Sequence, residues 1–172
     1  MKKILITGIV ASGKTTFAKK LSKILDIKYY ELDNITYNSK GISKRSKKEQ
    51  MDMIREIDLN GQWIFEGLDR ESYRELYHMA DSIIFLDMPI KLRKRRMITR
   101  FIKQQLKIEP CQYTSDLKLI KRMFKGTRDF EKKKPEYERF LRQFNDKVIH
   151  LQKSKEVKAW LKEKKISQTN SM

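Results

Sequence analysis

The sequence predicts an α/β fold, one parallel sheet with helices on both faces. Short apolar, β-branched runs alternate with helical apolar patterns along the chain. A glycine-rich octapeptide joins the first run to the first helical pattern. The 172 residues suit one domain with room for an insertion.

Residues 2–7 (KKILIT) read as a buried strand and 8–15 as a loop. Phe17, Leu21, Ile24 and Leu25 then mark one face of a helix over 14–25. Residues 27–32 (IKYYEL) suit a second strand, and the polar stretch 34–46 a loop. Met51, Ile54 and Ile57 mark a helix over about 47–59, stopped by Asn60-Gly61. Residues 62–66 (QWIFE) and 82–87 (SIIFLD) read as the third and fourth strands, with a short helix at 70–79 between them. A basic helix runs from Pro89 to about 108, broken by Pro110. Two helical patterns follow at about 114–125 and 130–145. Residues 147–151 (KVIHL) give a fifth strand and 154–164 a last helix. The domain therefore covers 1–165, and the polar 166–172 reads as a frayed tail.

Composition excludes several classes. Apolar residues at 39% fill one core, and their periodicity excludes a disordered chain. One cysteine, Cys111, excludes an internal disulfide framework and fits a reducing compartment. No apolar run reaches 18 residues. The opening MKKILITGIVA imitates a signal peptide, but it breaks at Ser12-Gly13-Lys14 without a cleavage site. A cytoplasmic protein, monomeric or weakly dimeric and with no membrane partner, is expected.

The charge is uneven. There are 40 Lys and Arg against 22 Asp and Glu, a net of +18. Residues 88–134 hold 16 basic and 4 acidic residues, so two-thirds of the excess lies in that stretch. A local basic field of this kind serves an anion, a phosphorylated small molecule or a polynucleotide. The same stretch is the largest departure from strand–helix alternation, hence a candidate movable flap.

Gly8-Ile9-Val10-Ala11-Ser12-Gly13-Lys14-Thr15 matches G-x(4)-G-K-[ST], the P-loop. It follows an apolar strand and opens an amphipathic helix, as phosphate binding requires; the bland alternative is an ordinary glycine-rich turn. The glycines let backbone N–H groups turn inward, and the helix N-terminus adds positive charge. Gly8, Ala11, Ser12, Gly13, Lys14, Thr15 and Thr16 are the expected ATP contacts. Lys14 would bridge the β- and γ-phosphates, and the Thr15 hydroxyl would ligate Mg²⁺.

Trp63-Ile64-Phe65-Glu66-Gly67-Leu68-Asp69-Arg70 resembles the strand-and-turn D-G-x-P-R of nucleoside monophosphate kinases, with Glu66 for Asp and Asp69 for Pro. Pro89 and the Arg-rich helix after it resemble the base of the adenylate kinase lid. Ser154-Lys155-Glu156-Val157 resembles the segment that packs near adenine. The opening Met1-Lys2-Lys3-Ile4 and the Leu32-Asp33 pair resemble the adenylate-kinase-related bacterial group labelled "DNA topology modulation protein". The resemblance implies a P-loop NTPase sandwich with strand order 2-3-1-4-5 and a helical basic lid inserted at about 89–145. It also implies transfer of the γ-phosphoryl group of Mg-ATP to an acceptor, a nucleoside, nucleotide or similar metabolite.

Asp33, just past the second strand, either orients and deprotonates an acceptor hydroxyl or caps a turn. Glu66 either holds a Mg²⁺-bound water or is a strand-end carboxylate. Asp87 ends its strand like a Walker B acid, but the resemblance gives that strand's acid a structural role. Arg70 matches the family arginine that clamps acceptor phosphate bidentately; with a phosphate-free acceptor it would instead serve the transferring group. Arg96 and Arg100, four apart on one helix face, are expected to contact ATP phosphates and assist transfer. Arg93 and Arg95 read as a solvated basic face. Arg128, beside a hinge at Gly126, is a second lid arginine for ATP. His78, His150 and Cys111 lack partners at metal or nucleophile spacing. The competing reading is a nucleic-acid-binding P-loop protein, or a polynucleotide 5′-end kinase, that grips its polyanion through 88–134. Few aromatics accompany those charges, and no T-G-D-x-x-R or N-K-x-D sequence occurs.

Overall fold

The computed structural model describes residues 1–38, 43–106, 108 and 117–169. Five strands form one parallel sheet: β1 (Lys3–Thr7), β2 (Tyr29–Glu31), β3 (Trp63–Gly67), β4 (Ser82–Leu86) and β5 (Val148–Leu151). Their order is β2-β3-β1-β4-β5, the order the sequence resemblance implies. β1 is central, with Leu5 beside Phe65 on one side and Ile83 on the other. Parallel strands covered on both faces have no wet side, which is why β1, β3 and β4 read as unbroken apolar runs.

Side-chain alternation divides the core in two. Ile4, Ile6, Ile64, Ile84 and Leu86 pack with Phe17, Ala18 and Leu21 of α1 (Lys14–Leu25) and Leu161 of α7 (Ser154–Thr169). Leu5, Trp63, Phe65, Ile83 and Phe85 face the opposite layer. That layer comprises α2 (Leu32–Thr36), α3 (Lys47–Asp58), α4 (Glu75–Met79) and α6 (Leu117–Leu141). α5 (Ile90–Gln105) leaves the end of β4 and packs on α6. Among the described residues no helix is long and apolar enough to cross a membrane.

Local chemistry explains the boundaries. α3 starts in a capping box, with Ser46 accepting from the Glu49 amide while the Glu49 carboxylate takes the Ser46 amide. Gly61, at φ 72°, turns the chain into β3. Several boundaries differ from the sequence reading. The stretch read as a loop from 34 begins inside α2, because Leu32, Ile35 and Thr36 bury one face of a short helix. The two patterns expected at 114–125 and 130–145 belong, where described, to one helix, α6, that passes through Pro135. Gly126 thus lies within a helix and not at a junction between two. α7 continues to Thr169, so residues 166–169 are helical and not tail. The break at Pro110, Cys111, the start of the pattern expected from about 114 and the tail residues 170–172 lie outside the described residues.

Candidate functional site

The site grows from the carboxyl edge of the sheet. β1 ends at Thr7 and the chain turns sharply at Gly8, whose φ is 150°. A Cβ there would stand 2.6 Å from the Leu86 carbonyl oxygen, so β4 excludes any side chain. Ala11 (φ 60°) and Gly13 (φ 102°) hold left-handed conformations that curl the loop back onto α1. The Ser12 amide closes the curl on the Ile9 carbonyl at 3.2 Å. The Ser12 hydroxyl is buried without a hydrogen-bond partner, as expected where a phosphate oxygen would complete the set.

Lys14 lies back across this loop, its ammonium donating to the Ile9 carbonyl at 3.2 Å. Burial lowers its pKa, opposed by the nearby Glu66 and Asp33 carboxylates. The Thr15 hydroxyl donates to Glu66 Oε1 at 2.6 Å. Glu66 is only 5% exposed. Burial raises its pKa, against the pull of Lys14 and Thr15. Thr15 and Glu66, both expected at the metal, therefore meet, and their hard oxygen donors suit Mg²⁺. Thr16 is exposed on the first turn of α1.

Asp33 and Arg70 also meet. Asp33 stands at the start of α2, exposed, and Arg70 Nη2 donates to its Oδ1 at 3.0 Å. The Arg70 guanidinium sits 5.5 Å from the centre of the Tyr37 ring. Arg70, expected to clamp acceptor phosphate or to serve the transferring group, is paired here with a carboxylate.

The α5 arginines divide differently from the sequence reading. Arg96 reaches the phosphate loop, donating to the Ser12 carbonyl at 2.8 Å and to Ala11 at 3.2 Å. Arg100 is exposed one turn further on, and Arg128 on α6 is exposed too. Neither is brought to the loop. Arg93, read as solvated, is 1% exposed. Its Nε donates to the Met88 carbonyl at 2.8 Å and its Nη2 pairs with Glu131 of α6. Arg93 and Met97 mark the buried face of α5. Arg95 is exposed, as expected.

Two further groups escaped the sequence reading. Asp87, just past β4, binds Lys134 Nζ at 2.6 Å and His150 Nε2 at 3.2 Å. Burial pushes its carboxyl up, but those two bonds outweigh it and hold the pKa at about 2. These partners of Asp87 leave no sequence signal. His150, isolated in sequence, stacks on Phe85 with ring centres 4.8 Å apart. Beside them opens a pocket of about 290 Å³, whose lining includes Met88, Pro89, Arg93 and Lys153. The second group is a chain of hydroxyls. Thr7 Oγ1 meets Tyr137 Oη at 2.7 Å, Tyr137 meets Tyr77 Oη at 2.9 Å, and Tyr77 meets Asp69 Oδ1 at 3.1 Å. It ties α6 to the last residue before the phosphate loop. Partners 60 and 130 residues apart leave no sequence signal.

A family model described as an AAA domain matches residues 4–109. No curated protein matches the chain. Among solved structures, the shikimate kinase from Acinetobacter baumannii in complex with shikimate is 15% identical, with a TM-score of 0.59. That match covers 100% of this chain and 96% of the other. Shikimate kinase from Aquifex aeolicus is 17% identical with a TM-score of 0.52, covering 98% and 96%. An unliganded sugar kinase from Janibacter sp. is 14% identical with a TM-score of 0.53, covering 99% and 95%. At such identities the likeness is one of fold.

Proposed function

The chain belongs to this AAA-domain family of P-loop NTPases, and from that premise we propose an ATP-dependent phosphotransferase acting on a small acceptor. The observation that carries the reading is that Lys14, Thr15 and the buried Glu66 cluster at the phosphate loop, with the exposed Asp33 carboxylate near enough to act on both Lys14 and Glu66. A nucleotide-binding switch needs the cluster alone. A transferase also needs an acid outside it, on the acceptor side.

The loop amides, Ser12 and Lys14 would hold the triphosphate, and Lys14 would offset charge on the transferring group. Thr15 and Glu66 would hold Mg²⁺, which supplies charge neutralisation on the phosphates when bound. Asp33 takes the proton of an acceptor hydroxyl. The acceptor oxygen bonds to the γ-phosphorus, the bond to the β–γ bridging oxygen breaks, and ADP leaves with that oxygen. Arg96 holds the loop's outer carbonyls and so keeps its amides turned inward. Of the lid expected over about 89–145, Tyr137 and Leu141 belong to the core, so we read the distal turns of α5 and the N-terminal turns of α6 as the closing part, with Arg100 and Arg128 swinging in. The solved structures of like fold are named for shikimate and sugar kinases, which supports a small acceptor. Met1-Lys2-Lys3-Ile4 and Leu32-Asp33 support kinship with the bacterial "DNA topology modulation protein" group.

One observation favours a second reading. Lys91, Arg95, Arg100 and Lys103 are all exposed on α5, a basic surface fit for a polynucleotide. The primary reading is tested by Lys14→Ala, which abolishes ATP turnover with the fold intact by circular dichroism. Undiminished turnover in that variant overturns the transfer reaction.

A further inference from the structure

The acceptor side carries an unexpected charge balance. The stretch from α2 to α4 holds four arginines, Arg45, Arg55, Arg70 and Arg74, the residue type suited to gripping a phosphate bidentately. Each already has a partner. Arg45 turns Nη1 back onto the carbonyls of Asn34, Ile35 and Tyr37, which closes the C-terminal end of α2. Arg55 donates to Glu75 at 3.2 Å. Arg74 binds Asp69 at 3.0 Å and lies 4.4 Å over the Phe140 ring. Arg70 is held by Asp33. The described lysines here, Lys44, Lys47 and Lys48, are exposed, and Lys47 pairs with Glu71 at 3.5 Å.

Asp33 makes this balance selective. A phosphate drawn to Arg70 would lie beside the Asp33 carboxylate, anion against anion, and the other three arginines of this stretch are already paired. A neutral hydroxyl has no such difficulty. It can donate to the carboxylate while Arg70 stays in place and donates to a neighbouring hydroxyl oxygen. A carboxylate–guanidinium pair offers one acceptor and one donor side by side, which matches two adjacent hydroxyls.

We propose that the acceptor is a phosphate-free polyhydroxylated small molecule, presenting a vicinal diol to the Asp33–Arg70 pair. This rests on the phosphotransferase reading and narrows it: nucleosides and sugars qualify, whereas nucleoside monophosphates and sugar phosphates do not. One hydroxyl of the diol gives its proton to Asp33 and receives the γ-phosphoryl group, with ADP as the leaving group. The other hydroxyl is held by Arg70.

The test uses matched acceptors with Mg-ATP, each nucleoside or sugar paired with its own monophosphate, and measures ADP release. The phosphate-free member should give a kcat/KM at least about 100-fold higher, since a site built for hydroxyls rejects what leaves its polar groups mispaired. Removing one hydroxyl of the diol should cost a similar factor. Preference for the phosphorylated member overturns this inference and leaves ATP-dependent transfer standing. Lys14-dependent turnover only with oligonucleotides likewise overturns it, while no turnover with any acceptor overturns both. Arg45→Lys serves as a second probe. Held by carbonyls, Arg45 should matter for melting temperature and not for acceptor KM. A rise in KM confined to phosphorylated acceptors would expose it as a phosphate clamp and sink the proposal.

Discussion

Glu66 keeps its place against the cost of its own burial. The fold raises its pKa, so ionising it is harder in the folded chain than in the unfolded one. The sign follows: the folded state binds the proton more tightly, and stability falls as pH rises through the raised value. The metal role needs the ionised form, so turnover should climb with pH over a window above the ordinary carboxylate range. Glu66→Gln keeps the shape, removes the buried charge and can still accept from Thr15. It should raise stability by about 1 kcal/mol, lower turnover about 100-fold and abolish that acid limb. A melting curve and a pH–rate profile of the variant read these effects; an unchanged acid limb would assign it to another group. Glu66 and Asp33 were legible in the sequence because each sits one step past a recognisable apolar run. Arg93 was not, because charge and helical phase alone cannot show that Glu131 waits 38 residues away.

An ion pair with its guanidinium buried joins the first turn of α5 to α6. Ile98, Ile102 and Leu106 of α5 remain exposed, while Arg93 and Met97 are buried. An Arg93 left without Glu131 would keep a buried cation with only the Met88 carbonyl, at a cost of about 3 kcal/mol for Glu131→Gln. Arg93→Met combined with Glu131→Gln should cost less than that, because an apolar chain of similar volume needs no partner. Urea denaturation of the two single variants and the double gives the coupling; additive losses would show that the pair contributes nothing. The joint also decides how the lid can move. A pair seated at the first turn of α5 anchors that end, and motion would be left to the distal turns that carry Arg100. The helical pattern read over 130–145 already passes through Pro135, and α6 does so too. Proline normally breaks a helix, but Tyr137 and Leu141 beyond it are seated in the core and hold the axis through it.

The charge of the whole molecule carries the last distinction, between a small acceptor and a polynucleotide. A net of +18 on 172 residues will attract any polyanion, whatever the reaction. The sheet order was legible through the family resemblance, which the phosphate loop and the Glu66–Arg70 turn carry. The purpose of the charge was not, since surface lysines read the same whether they serve a partner or only solvent. In the structure the excess has little fixed work near the loop. Arg96 alone of the α5 cations touches it, and Lys91, Arg95, Arg100 and Lys103 lie exposed. Binding through such a surface is counterion release, which weakens steeply with salt. A single-stranded oligonucleotide should therefore bind at about 50 mM salt and lose about 1,000-fold in affinity or more by about 200 mM. Catalysis should not follow it: Mg-ATP turnover with a small acceptor should change less than about threefold over that range, because Glu66 is buried and the Lys14 and Thr15 beside it are half-buried, which limits screening by added ions. Fluorescence anisotropy and ADP release measured across one salt series separate the two. Oligonucleotide-stimulated ADP release that falls in step with binding would make the basic face the acceptor site and the polynucleotide the substrate.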